Sequence, residues 1–142
     1  MSHRSRGLTG RSFSTTYEGP GVPVWDPLER LAHVVWQRPD VPQFHPGEFC
    51  SMGAIRNKRL GLRIHLYKHL DTRGYLNLDD VGHAYAYQPR DDDDFLSRPE
   101  FGGWYRRYRS PLDAIGGLGL WMFEVRHLYR SFPPEEWPQH EP

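Results

Sequence analysis

The feature that most constrains this chain is a stretch of two-residue alternation between residues 62 and 87, broken twice by short links that carry glycine. Leu62, Ile64, Leu66 and Leu70 alternate with Arg63, His65, Tyr67 and His69. Leu76 and Leu78 alternate with Tyr75, Asn77 and Asp79, and Ala84 and Ala86 alternate with His83, Tyr85 and Tyr87. Successive side chains of an extended strand leave opposite faces, so each segment reads as a half-buried strand. Asp71, Thr72 and Arg73 before Gly74, and Asp80 and Val81 before Gly82, supply the turns of two tight hairpins.

Side-chain parity predicts a register in which the aliphatic residues of all three strands share one face, because a one-residue slip would move a whole apolar set to the other side. Leu66, Leu78 and Ala84 form one cross-strand row, and Lys68, Leu76 and Ala86 the next. The opposite face then carries His65, Asp79 and His83 in one row, Tyr67, Asn77 and Tyr85 in a second, and His69, Tyr75 and Tyr87 in a third. Neighbours within a row would have Cβ atoms about 4.5–5.5 Å apart.

The remaining chain frames this meander. Trp104, Arg106 and Tyr108 alternate with Tyr105, Arg107 and Arg109, which predicts a fourth, basic and aromatic strand. Asp26 and Pro27 precede Leu28, Leu31, Ala32, Val35 and Trp36 at helical spacing, so a short amphipathic helix is expected over about 26–37. Residues 43–61 are irregular and read as a packed loop. Ser110 and Pro111 open a second helical segment, which Trp121, Val125 and Leu128 extend to about residue 131. The expected fold is α+β: an antiparallel meander of three to four strands over 62–109, packed by helices at 26–37 and 111–131. Residues 1–23 read as a flexible arm, 24–132 as one domain and 133–142 as a Pro/Glu-rich tail.

Composition limits the function classes. The 142 residues carry 18 basic and 18 acidic side chains, so the whole molecule is not an electrostatic binder of nucleic acid or anionic lipid. The balance is local rather than uniform. Residues 52–75 hold six basic residues against one acidic, whereas residues 76–100 hold seven acidic against two basic. A single cysteine, Cys50, excludes an internal disulfide and a multi-thiolate zinc site, and its expected role is that of a packed thiol. No apolar run approaches a membrane span, so a cytoplasmic protein without a membrane partner is expected. Arginine outnumbers lysine sixteen to two, a skew that fits a GC-rich bacterial genome.

Three kinds of chemistry fit the predicted sheet face. The His65, Asp79 and His83 row has the donors of a 2-His-1-carboxylate divalent metal site, or of a carboxylate-oriented general base. Ordinary cross-strand pairing of an acid with histidines accounts for the same residues. Stacked tyrosines beside arginines could hold single-stranded nucleic acid, with Arg63, Arg73, Arg106, Arg107 and Arg109 on its phosphates. A protein partner is the third and leading reading, through the sheet face with Tyr67, Tyr75, Tyr85, Tyr87, Trp104, Arg106 and Tyr108 or through the Trp-rich C-terminal segment, because Tyr, Trp and Arg dominate such contacts. On that reading the chain is a non-enzymatic module with no cofactor. The four aspartates at 91–94 lack the spacing of a calcium loop and read as a solvated turn.

Residues 67–81, YKHLDTRGYLNLDDV, resemble the N-terminal segment of polyhydroxyalkanoate-accumulation regulators, which are DNA-binding. The resemblance spans about fifteen residues, and this chain departs from the family pattern by continuing into a third strand. It implies a shared hairpin pattern, and no residue role follows from it.

Overall fold

The computed structural model describes residues 7–88, 99–120 and 134–136. Six strands, β1 (Leu8–Gly19), β2 (Phe49–Asn57), β3 (Leu62–His69), β4 (Tyr75–Asp79), β5 (Ala84–Gln88) and β6 (Gly103–Tyr108), pair in chain order. Each neighbouring pair is antiparallel, and β1 also pairs with β6, so the sheet closes into a barrel. Helix α1 (Asp26–Trp36) connects β1 to β2, and the short α2 (Pro111–Ile115) follows β6.

The α+β class with an open three- to four-stranded meander is therefore corrected to a closed six-stranded antiparallel barrel bearing two short helices. The two strands that make the difference are β1, within the stretch expected to be a free arm, and β2, within the expected packed loop. Neither has clean alternation. A bulge interrupts β1 opposite β2 between Tyr17 and Gly19, and another interrupts β2 opposite β3 between Ser51 and Ala54. Each extra residue inverts the parity that a period-two reading depends on. β1 is also polar on its outward side, with Ser12, Ser14, Thr16 and Glu18 exposed, so it lacks the overall hydrophobicity of a core strand.

Two apolar clusters lie on the two sides of the barrel wall. Phe13, Ile55, Ile64, Leu66, Tyr85 and Tyr105 come from five different strands and touch one another, which places them in the barrel interior. Leu76, Leu78, Ala84 and Tyr67 belong instead to an outer layer with Leu28, Leu31, Ala32 and Val35 of α1 and with Ala114, Ile115 and Leu118. The aliphatic residues of β3 thus point inward while those of β4 and β5 point outward. The β3–β4 register follows from this: Ile64 faces Asp79, His65 faces Leu78 and Leu66 faces Asn77, one residue away from the row expected. The β4–β5 register is the expected one, with Leu78 opposite Ala84 and Asn77 opposite Tyr85.

Helix α1 occupies the stretch that its periodicity indicates, and Pro27 sits in its first turn. The helical segment expected over 111–131 is described only to residue 120, as α2 and a further 3-10 turn at Gly116–Leu118, and the rest of it lies outside the described residues. The aspartates at 91–94 and most of the Pro/Glu-rich tail lie outside them as well. Among the described residues no helix is long and apolar enough to cross a membrane.

Candidate functional site

The register separates the three residues of the expected metal row. Asp79 points into the barrel, where its Oδ2 accepts the Tyr85 hydroxyl at 2.8 Å. Its Oδ1 accepts the backbone N–H groups of Val81 at 3.1 Å and His83 at 2.9 Å, closing the β4–β5 turn. The His83 imidazole stands 3.4 Å from Asp79, but His65 leaves the opposite face of the wall and pairs with Asp80 at 2.6 Å. Burial, reinforced by the Asp79 bond, pushes the Tyr85 hydroxyl well above its ordinary pKa and keeps it a donor. Among the described residues no group of three or more His, Cys, Asp or Glu side chains converges as a metal site.

The seven residues expected to meet a partner occupy three different places. Tyr75, Tyr85 and Tyr87 pack with the barrel interior, and the Tyr75 hydroxyl donates to Glu100 in the 3-10 turn Pro99–Phe101 that precedes β6. Tyr67 lies under the α1 layer, stacked on Trp25 with ring centroids 5.8 Å apart and its hydroxyl on the Val24 carbonyl. Trp104, Arg106 and Tyr108 are on β6, where each is half-buried, and Tyr108 packs against the helical layer.

Sequence reasoning did not anticipate a buried pair formed by His69 and Glu48. His69 Nε2 lies 2.7 Å from the Glu48 carboxylate, while its Nδ1 accepts the backbone N–H groups of Asp71 and Thr72. Nδ1 is therefore the unprotonated nitrogen and Nε2 the donor. Both side chains are almost fully enclosed, so the pair anchors the turn before β2 to the end of β3 and has no room for a substrate.

An open, charged recess lies outside the barrel, across β1, β2 and the β2–β3 turn. It is a groove of about 520 Å³. Ser14, Thr16 and Glu18 of β1 form one wall, Arg56 and Asn57 of β2 the other, and Lys58 and Arg59 stand at the turn. Asn57 shapes that turn, donating through Nδ2 to the Ser14 carbonyl at 2.7 Å and accepting the Leu60 N–H at 2.8 Å. Glu18 bridges two arginines: its Oε2 is 2.5 Å from Arg56 Nε and its Oε1 is 3.0 Å from Arg63 Nε. The Arg56 hydrogen bond is the main reason the Glu18 carboxyl is held below the usual range. Lys58 and Arg59 are exposed and have no ion pair among the described residues. Trp104 is the register partner of Ser14 across β6, which places an indole on the strand adjoining the groove.

A smaller recess of about 230 Å³ between α1, the β4–β5 turn and the start of α2 is lined mainly by apolar groups, among them Leu31, Val34, Val81 and Leu112. Its one charged wall residue, Arg30, already holds Asp26 at 2.7 Å and the Asp80 carbonyl at 2.6 Å.

The cationic side of the large groove was visible in the sequence as the basic excess of residues 52–75. Its hydroxyl side was not, because Ser14 and Thr16 acquire a position only when β1 joins the barrel. The fold and this recess define a small closed antiparallel barrel with an external basic groove. Set against known proteins, the chain matches no family model, no curated protein and no solved structure. The resemblance of residues 67–81 to polyhydroxyalkanoate-accumulation regulators thus gains no family match.

Proposed function

We propose that this protein is a non-enzymatic binding module for single-stranded nucleic acid, which it holds along the outer wall formed by β6, β1 and β2. The observation that carries the reading is the groove itself, where Lys58 and Arg59 add two exposed cations to hydroxyl-bearing walls. A phosphate backbone is neutralised by such cations and bonded by such hydroxyls. Bases stack on aromatic side chains in a way that a paired duplex does not make available, and the adjoining strand carries the half-buried Trp104 opposite Ser14. A protein partner on the sheet face is less well supported, because Tyr67 lies beneath α1 and Tyr75, Tyr85 and Tyr87 pack with the barrel interior; the Trp-rich C-terminal segment lies outside the described residues.

Fluorescence anisotropy with a labelled oligothymidylate tests the proposal. Affinity should fall as salt rises from about 50 to about 200 mM, and Lys58→Ala/Arg59→Ala should weaken binding and lower the log–log salt slope by about 1 to 1.5. A duplex of equal length should bind less tightly. Equal binding and an unchanged slope in the double variant would rule the groove out.

A further inference from the structure

Arg56 and Arg63 are direct cross-strand partners in the β2–β3 ladder, and both are partly exposed on its outer face. Like charges in that position repel. The carboxylate that relieves the repulsion comes from Glu18, which is the extra residue of the β1 bulge: Tyr17 faces Ile55 and Gly19 faces Ala54, leaving Glu18 without a ladder partner. Bulges redirect side chains, and this one aims a single carboxylate between two guanidinium groups. Each arginine engages it through Nε, at 2.5 and 3.0 Å, and a guanidinium has four further N–H donors on its two Nη atoms. An anion held by two guanidinium forks is the arrangement that recognises a phosphate.

We infer that Arg56 and Arg63 form a phosphate-binding fork at the end of the groove, and that Glu18 is its internal stand-in, displaced when a phosphodiester of the bound strand arrives. The inference rests on the nucleic-acid reading above and names the subsite within it. The Glu18 side chain is 29% exposed, and its arginine partners are 38% and 46% exposed, so the ion pairs are of the solvent-screened kind that a ligand can replace. Glu18 therefore sets the affinity by competition.

The experiment uses the full chain and the same labelled oligothymidylate. Glu18→Gln removes the competing charge and should tighten binding at least about threefold, with a log–log salt slope steeper by about 0.7 per phosphate gained. Arg56→Gln and Arg63→Gln should each weaken binding and flatten the slope. If Glu18→Gln is not folded by circular dichroism, Arg63→Gln carries the test, because the Glu18–Arg56 pair persists in it. Weaker binding in Lys58→Ala/Arg59→Ala with no change in the Glu18 and Arg63 variants overturns the fork and leaves the groove standing. Absence of salt-dependent binding by both the wild type and Glu18→Gln overturns the fork and the nucleic-acid reading together.

Discussion

At the scale of single residues, the informative cases are polar side chains that the barrel turns inward. Asp79 is 4% exposed and survives there because its two oxygens receive three donors: the Tyr85 hydroxyl and the N–H groups of Val81 and His83. A buried carboxylate without such donors would carry a large desolvation cost. Tyr85→Phe keeps the ring against Phe13 but removes the hydroxyl that donates to Oδ2. It should cost about 1–3 kcal/mol in urea unfolding, the range for leaving a buried polar group short of a partner. A loss near zero would mean that water replaces the hydroxyl. Of the expected row His65, Asp79 and His83, one contact is present, His83 against Asp79, while the Tyr85 hydroxyl that reaches Asp79 comes from the row expected beside it. His65 is absent from it because a one-residue difference in pairing sends its side chain through the wall to Asp80.

At the scale of elements, the bulges set the geometry of the groove side of the barrel. Gly53 lies in the β2 bulge with φ at +95°, a region that side chains with a Cβ rarely enter. A Cβ at this position would also stand 2.3 Å from the Gly19 carbonyl oxygen, so the β1 and β2 backbones approach one another here. Gly61, in the β2–β3 turn, has φ at +67° but open space around it. Gly61→Ala should therefore cost only the backbone term, about 1 kcal/mol, while Gly53→Ala should cost roughly 2 kcal/mol or more. Comparison of the two unfolding curves isolates the close approach, and equal losses would show that it does not matter. The strands with unbroken alternation, β3, β4 and β5, are legible in the sequence, as is α1 with its apolar stripe. β2 is not, since its bulge puts Met52 and Ile55 out of phase with a strict period of two.

At the scale of the whole molecule, closure depends on β1, which pairs with β2 on one side and β6 on the other. Phe13 meets Tyr105 across a sequence separation that no local pattern can report. Because β1 is paired on both sides, its amide hydrogens facing β6 should exchange with protection comparable to those of β3, since strand amides in a ladder open only with the fold around them. Exchange of residues 8–19 at the rate of a free arm would refute closure. The same closure assembles the groove, because its hydroxyl wall and Glu18 belong to β1 while its cations belong to β2 and the turn after it. The net charge of zero is thus compatible with a basic recess: the compensating acids lie in other parts of the chain.

By itself, the sequence determined what is local in this protein: the four strands from 62 to 109, the helix at 26–37, the hairpin turns and the concentration of basic residues between 52 and 75. Alternation records which residues of one strand share a face. It does not record which face is dry when both are covered, and here the interior takes Ile64 and Leu66 while the α1 layer takes Leu76, Leu78 and Ala84. That choice, the β3–β4 register that follows from it, and the recruitment of a polar, bulged β1 to close the barrel were decided by tertiary structure alone. Their physical origin is burial between elements far apart in the chain, where the gain comes from contacts that no short segment can form by itself.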